Sequence, residues 1–110
     1  MIYPIVPGCC NSLNVVGERF ADGEYRKMSE EHNGRPVYKH TEAESCIFYG
    51  GHWKIDSCSW LTQGDWTQGY GWSDVDAMCP DDIGPQWRYY SWEGGSDSGP
   101  VDPEIVVECM

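Results

Sequence analysis

The six cysteines are the residues of this sequence with the most definite chemistry. Their number is even, and no two of them have the CxxC spacing typical of zinc sites and of thioredoxin-like redox sites. A small chain with such a set commonly uses it for disulfides in an oxidising compartment. We therefore predict at least two disulfides and a location outside the cell or in the lumen of an organelle. The cysteines are Cys9, Cys10, Cys46, Cys58, Cys79 and Cys109.

Two details restrict the pairing, which spacing alone leaves open. Cys9 and Cys10 are adjacent, so we expect them to bond to two different partners. Cys109 follows an alternating apolar segment that favours a strand, and a disulfide there would hold a strand that otherwise tends to fray. The alternative is a set of reduced, buried thiols in a cytosolic protein.

A tryptophan-rich segment is the second candidate site. Residues 60–72 read WLTQGDWTQGYGW, with tryptophans six positions apart. Aromatic rings beside Gln, Asp and Thr can form a platform on which a sugar stacks, and the same ring types anchor protein interfaces. A third interpretation is that these rings form core in a loop flanked by two cysteines. The candidate platform consists of Trp60, Trp66, Tyr70 and Trp72.

A third candidate is a protein-docking surface near the end of the chain. Residues 86–92 alternate as a strand with aromatic rings on both faces. A domain of this size seldom covers both faces of a sheet by itself. We therefore predict that Tyr90 or Trp92 is partly exposed and is buried by a partner, with Glu93 and Asp97 at the polar rim.

The charge balance restricts the partners. The chain has 18 acidic and 7 basic residues, for a net charge of −11. Nucleic acid and anionic membrane surfaces are therefore poor partners, and a protein with a basic surface is favoured. No apolar run approaches the roughly 18 residues of a membrane span, so the chain is predicted not to cross a membrane.

Enzyme motifs are missing from the sequence. GxSxG, the P-loop, GxGxxG and HExxH do not occur. Asp74, Asp76, Asp81 and Asp82 could gather around Ca²⁺, but their spacing is not that of an EF-hand, and a solvated acidic rim is the favoured interpretation. We expect no enzymatic activity, no cofactor and no resident metal.

The elements that position these residues are predicted to be strands. Residues 45–49 and 52–56 form a hairpin closed by Gly50-Gly51, and a second hairpin turns at Asn33-Gly34. Further strands are expected at 13–16, 86–92 and 104–109. In the first hairpin, a two-residue loop would place four side chains on the core face. They are Cys46, Phe48, Trp53 and Ile55.

No segment has a sustained 3.6-residue apolar period, and 13 Gly and 7 Pro argue against long helices. We predict a single all-β domain over residues 1–110. It is a small disulfide-stabilised antiparallel meander or sandwich of about five or six strands. An irregular Trp/Gly-rich excursion is expected at residues 59–78.

Part of this pattern is similar to that of a known module. The pattern comprises Gly23-x-Tyr25, NGRPVYKH at 33–40, IFY at 47–49 and WKI at 53–55. It resembles a small β module that recurs in uncharacterised protist, algal and marine invertebrate proteins, with no named family. The resemblance covers about a third of the chain, implies use in attachment or assembly, and implies no catalytic residue.

These observations together favour a non-catalytic binding module. The expected role is an accessory or structural subunit that docks onto a larger protein assembly in an oxidising compartment. The alternative is a glycan-binding or adhesion module that uses the cluster of Trp60, Trp66 and Trp72.

Overall fold

The computed structural model describes residues 8–17, 21–59, 71–89 and 105–110, with only the backbone of Tyr89. These residues form one antiparallel sheet of eight strands, in the order β7-β6-β5-β4-β3-β2-β1-β8. The sheet curls into a half-barrel. The strands are β1 Ser12–Val16, β2 Gly23–His32, β3 Arg35–His40, β4 Ser45–Tyr49, β5 Trp53–Ser57, β6 Gly71–Ser73, β7 Arg88–Tyr89 and β8 Val106–Cys109.

The all-β prediction is confirmed. Seven strands follow one another as a meander, and β8 returns to pair with β1 at the other edge. The described helical structure is one short 3-10 turn at Pro80–Asp82. β6 lies inside the segment that was expected to be irregular. Within the described ranges, no helix is long and apolar enough to cross a membrane.

The β2–β3 hairpin shows both a predicted turn and an unpredicted shift. Asn33 and Gly34 have φ of 56° and 77°, and His32 pairs directly with Arg35, as a two-residue turn of the I′ type requires. Between Lys27 and Glu31 the register shifts, because β2 contains more residues than its partner strand there. The turn therefore does not set the pairing of the far half of the hairpin.

The predicted register of the β4–β5 hairpin is wrong. Tyr49 pairs with Trp53, so the loop has three residues rather than two. This change by one residue moves Phe48 opposite Lys54 and turns it to the face opposite that of Trp53. Gly51, with φ of 86°, provides the left-handed residue that the loop needs.

Most of the hydrophobic core lies on the face of the sheet that carries Trp53, here called the inner face. The Trp53 indole N–H donates to the carbonyl of Ala77 at 2.8 Å, which holds the 74–79 segment against this face. The buried residues of this cluster are Leu13, Val15, Ala21, Tyr25, Tyr38, Ile47, Trp53, Ile55, Ile83, Trp87, Ile105 and Val107.

The opposite side, here called the outer face, also buries side chains along β4 and β5. Val37, Cys46 and Phe48 form a second cluster, and Lys54 and Asp56 are buried beside it. Strand β4 is therefore buried on both faces. This explains why the four side chains assigned to one core face are all fully buried although they divide between two faces.

The disulfides are Cys9–Cys79, Cys10–Cys109 and Cys46–Cys58. The predictions that at least two disulfides exist, that one includes Cys109, and that the two adjacent cysteines have different partners are confirmed. These three bonds indicate an oxidising environment. Tyr38 adds to the anchoring, because its hydroxyl donates to the carbonyl of Cys10 at 2.6 Å.

Candidate binding surfaces

Only one member of the two candidate sites from the sequence belongs to the described residues. Trp72 lies at the centre of β6 and is half-buried. The other proposed platform residues and the proposed docking residues lie outside the described ranges. They are Trp60, Trp66, Tyr70, Tyr90, Trp92, Glu93 and Asp97.

Trp72 lies between two cations on the outer face. In the register of the sheet it is opposite Lys54 on β5 and opposite Arg88 on β7. Side chains directly opposite in an antiparallel pair point to the same side. The guanidinium carbon of Arg88 is 5.2 Å from the centroid of the indole, which is within the range of a cation–π interaction.

A histidine and an unpaired donor complete the surroundings of Trp72. The His52 ring meets the indole edge-on at 5.4 Å between centroids. The indole Nε1 of Trp72 is buried, and within the described part of the chain it has no hydrogen-bond acceptor. Buried donors are normally paired, so this indole N–H requires an acceptor that the described residues do not supply.

Acidic side chains follow Trp72 directly along the chain. Asp74 and Asp76 are exposed, and Asp76 accepts a hydrogen bond from Arg35 at 2.6 Å. The Arg35 guanidinium also lies 3.6 Å from the centroid of the Tyr49 ring. This ion pair connects the acidic segment to β3.

The four aspartates that could have gathered around Ca²⁺ form no such cluster among the described residues. Asp81 instead lies beside Cys10 and Cys109, with its Oδ2 at 3.3 Å from the Cys109 Sγ. Both sulfur atoms belong to a disulfide and are not thiolate ligands. Burial raises the pKa of Asp81, its own backbone N–H opposes the rise, and Asp82 adds to it.

A buried pair of opposite charges lies on β5, the strand next to that of Trp72. Lys54 and Asp56 are 2% and 3% exposed and lie on the outer face, two residues apart on β5. Burial raises the pKa of Asp56, while the Ser57 N–H and the Lys54 charge oppose the rise. Among the described residues the buried Oδ2 of Asp56 has no hydrogen-bond partner, so the attraction of the Lys54 charge offsets only part of the cost of burying this carboxyl.

The sequence did not indicate a groove at the Thr41 end of the β2–β3 pair. Its volume is about 430 Å³, and it is open to solvent. Arg26 on β2 and Lys39 on β3 are directly opposite each other there. The sequence shows that both residues are basic, but it does not show that they pair, because their pairing depends on the register shift between Lys27 and Glu31. The groove is lined by Arg26, Lys27, Met28, Lys39, His40 and Thr41.

His40 shapes this groove through hydrogen bonds to the backbone. Its Nδ1 accepts from the N–H groups of Glu42 and Ala43, both at 3.0 Å, so its Nε2 carries the proton and donates to the carbonyl of Asp22 at 2.8 Å. The ring approaches Gly23 so closely that a Cβ there would collide with it, and Gly23 has φ of 134°. The groove wall is therefore held in one position.

Comparison of the chain with protein-family models, with curated proteins and with solved structures finds no match. This agrees with the resemblance of roughly residues 17–57 to a module with no named family. No site or activity is transferred from a relative, and the function must be argued from the surfaces described above.

Proposed function

We propose that this protein is a non-catalytic binding module that docks onto a larger protein assembly, either in the lumen of an organelle or outside the cell. The observation behind the proposal is the half-buried Trp72, whose indole N–H has no acceptor among the described residues and which is followed along the chain by exposed Asp74 and Asp76. An aromatic ring that is partly accessible inside a polar rim is the usual composition of a protein-interface anchor.

The charge of the chain supports a partner with a basic surface. The net charge is −11, and the carboxylates beside Trp72 are exposed. Charges at the rim of an interface act mainly on the rate of association and make it sensitive to salt. Tyr90, Trp92, Glu93 and Asp97 continue the chain beyond β7, the neighbour of β6, and we propose that they extend the same surface.

A non-catalytic role is supported by the position of the carboxyl groups with raised pKa. Asp56 lies beside Lys54 under the outer face, and Asp81 lies beside a disulfide. Neither residue lines the groove between β2 and β3. Enzymes of the acid–base type place such groups together in a cleft, and among the described residues these two are apart.

The glycan alternative uses the same tryptophan in a different way. A sugar stacks on an open aromatic face, and Arg88 lies over one face of the Trp72 ring. At most the other face is then available. Docking to a protein, which can use the ring edge and the indole N–H, therefore fits the described geometry better.

The test is affinity purification of the tagged protein from its native source after mild crosslinking, with identification of the captured proteins. We expect one reproducible partner, captured less at raised salt and less by the Trp72→Leu and Trp92→Ala variants. The Val106→Ala variant is the matched control, because Val106 is exposed on β8 at the far edge of the sheet. Equal capture by all variants and at all salt concentrations would reject this surface as the docking site.

A further inference from the structure

The groove at the Thr41 end of β2–β3 concentrates positive charge in an acidic protein. Arg26 and Lys39 point into it from the outer face, whereas Lys27 is opposite Tyr38 and directs its side chain to the inner face; the net charge of the chain is −11. Its volume of about 430 Å³ lies within the range of small-molecule sites, roughly 300–1,000 Å³. The groove therefore has the size and the local charge of a site for a small anion.

The pairing inside the groove is unfavourable without such an anion. Arg26 and Lys39 are directly opposite in the β2–β3 register, and their side chains point to the same side. Like charges directly opposite in a sheet destabilise it. The shift between Lys27 and Glu31 sets this register, so a local irregularity of β2 creates the juxtaposition.

The described residues neutralise this charge only in part. The Nζ of Lys27 donates to the carbonyl of Cys9 at 3.2 Å, and the Nζ of Lys39 donates to the carbonyl of Ala43 at 3.2 Å. Carbonyls orient an ammonium group but carry no charge. Arg26 meets Glu24 at 3.2 Å, in a pair whose arginine side chain is 71% exposed, and such pairs contribute little.

The backbone contacts also hold the cations in position. The Lys39 ammonium has three donors, and its two contacts with the carbonyls of His40 and Ala43 leave one for a ligand. The His40 ring is held in place beside them, since both of its ring nitrogens bond to the backbone. The Arg26 guanidinium provides a planar set of donors that suits sulfate, phosphate or carboxylate oxygens.

We propose that this groove binds one oxyanion, a sulfate or a carboxylate, carried by a molecule of the size of a monosaccharide. A polyanion such as nucleic acid would be repelled strongly by the rest of this acidic surface, whereas a single charge is repelled much less. An acidic peptide segment would meet the same repulsion over a longer contact. The site is separate from the Trp72 surface, so the two proposals stand or fall independently.

The experiment is a titration of the isotope-labelled protein at constant ionic strength, followed by amide NMR. The probes are inorganic sulfate, glucose 6-sulfate and glucuronate, with glucose as the neutral control and a short aspartate-rich peptide as the competing class. We expect saturable shifts of the amides of Arg26, Lys39 and Thr41 with the sulfated or carboxylated sugar. Glucose should give none.

Three variants make the titration decisive. Lys39→Gln and Arg26→Gln should each weaken sugar-sulfate binding about tenfold, while Arg35→Gln, which removes a cation outside the groove, should leave it unchanged. Without ligand, Lys39→Gln should raise the unfolding midpoint by about 2–4 °C, because it removes the opposed like charges. The midpoint also verifies that each variant is folded.

Several results would overturn the proposal. Shifts that do not saturate, or that persist in Lys39→Gln, would reject the groove as an anion site. Tighter binding of the peptide than of the sulfated sugar would reject the assigned ligand class. Equal binding of inorganic sulfate and glucose 6-sulfate would reject a contribution from the sugar ring.

Discussion

The outer face of the sheet holds neighbouring cations in two places, and their surroundings differ. At the β2–β3 end, Arg26 and Lys39 are directly opposite each other. At the β5–β7 end, Lys54 and Arg88 lie on either side of Trp72, and the indole ring attracts the Arg88 guanidinium. The cations beside Trp72 are stabilised by the chain itself, whereas the Arg26–Lys39 pair would gain stability from an added anion. Net charge therefore does not decide which partner a given surface binds.

The first test of this comparison removes the apolar cluster on the outer face. Phe48 is fully buried there and packs with Val37 and Cys46. Phe48→Ala should lower the free energy of unfolding by about 3–5 kcal/mol through lost burial and a cavity. Denaturant unfolding measures it. Val16→Ala is the control, since Val16 is 49% exposed, and it should change stability by less than about 0.5 kcal/mol. A similar loss for both would contradict a closed outer face.

The second test removes the disulfide on the same face. Cys46 and Cys58 are 12 residues apart, and the loop-entropy estimate for a ring of this size is about 3 kcal/mol. The Cys46→Ala/Cys58→Ala double variant should lose this amount in denaturant unfolding. Peptide mapping without reductant should find the bond in the wild-type protein. Finding free thiols at both positions in the native protein would contradict the pairing.

The third test compares the two places directly. Trp72→Leu leaves Lys54 and Arg88 without the ring between them and should lower the free energy of unfolding by about 1–2 kcal/mol. Lys39→Gln should raise the free energy of unfolding, because it removes one of two like charges that lie directly opposite each other. Unfolding curves at low and high salt measure both. Changes of the same sign would show that the two places do not differ in the way described.

The smallest effect expected concerns pH. Burial raises the pKa of Asp56 above its ordinary value of 3.8. The protonated carboxyl therefore stabilises the fold fully at pH values below 3.8. This stabilisation is lost as the pH rises through the raised pKa. Asp56→Asn stays neutral throughout. Its stability minus that of the wild type should therefore decrease as the pH falls from neutral towards about 4. A difference independent of pH would contradict the raised pKa.

Much of the fold was accessible from the sequence because it depends on local signals. Asn33-Gly34 forms the predicted turn, the period-2 segments form strands, and the cysteines form disulfides. Burial was also predicted for Phe48 and Trp53, since large apolar side chains leave water on whichever face they occupy. The all-β class and the oxidising environment follow from these features.

Register was the part that local signals could not supply. Gly50-Gly51 allows loops of two or three residues, and a strand with apolar side chains on both faces does not favour either. The shift within β2 has no marker such as a glycine between Lys27 and Glu31. The basic groove depends on that shift, so it could not be found from charge spacing. The Trp72 neighbours also depend on strand pairing, which joins distant segments.

The bond between Cys10 and Cys109 turns nearly the whole chain into a macrocycle, with a sequence separation of 99. Any single peptide bond cut between these cysteines opens the ring but leaves both pieces covalently joined. Next to this disulfide, the N–H of Met110 donates to the carbonyl of Ser12 at 3.1 Å. The two chain segments that the disulfide joins therefore also meet through a backbone hydrogen bond. Under oxidising conditions a protease that cleaves once between these cysteines therefore releases no fragment, and the cleaved protein gains only the mass of one water until a reductant opens the disulfide.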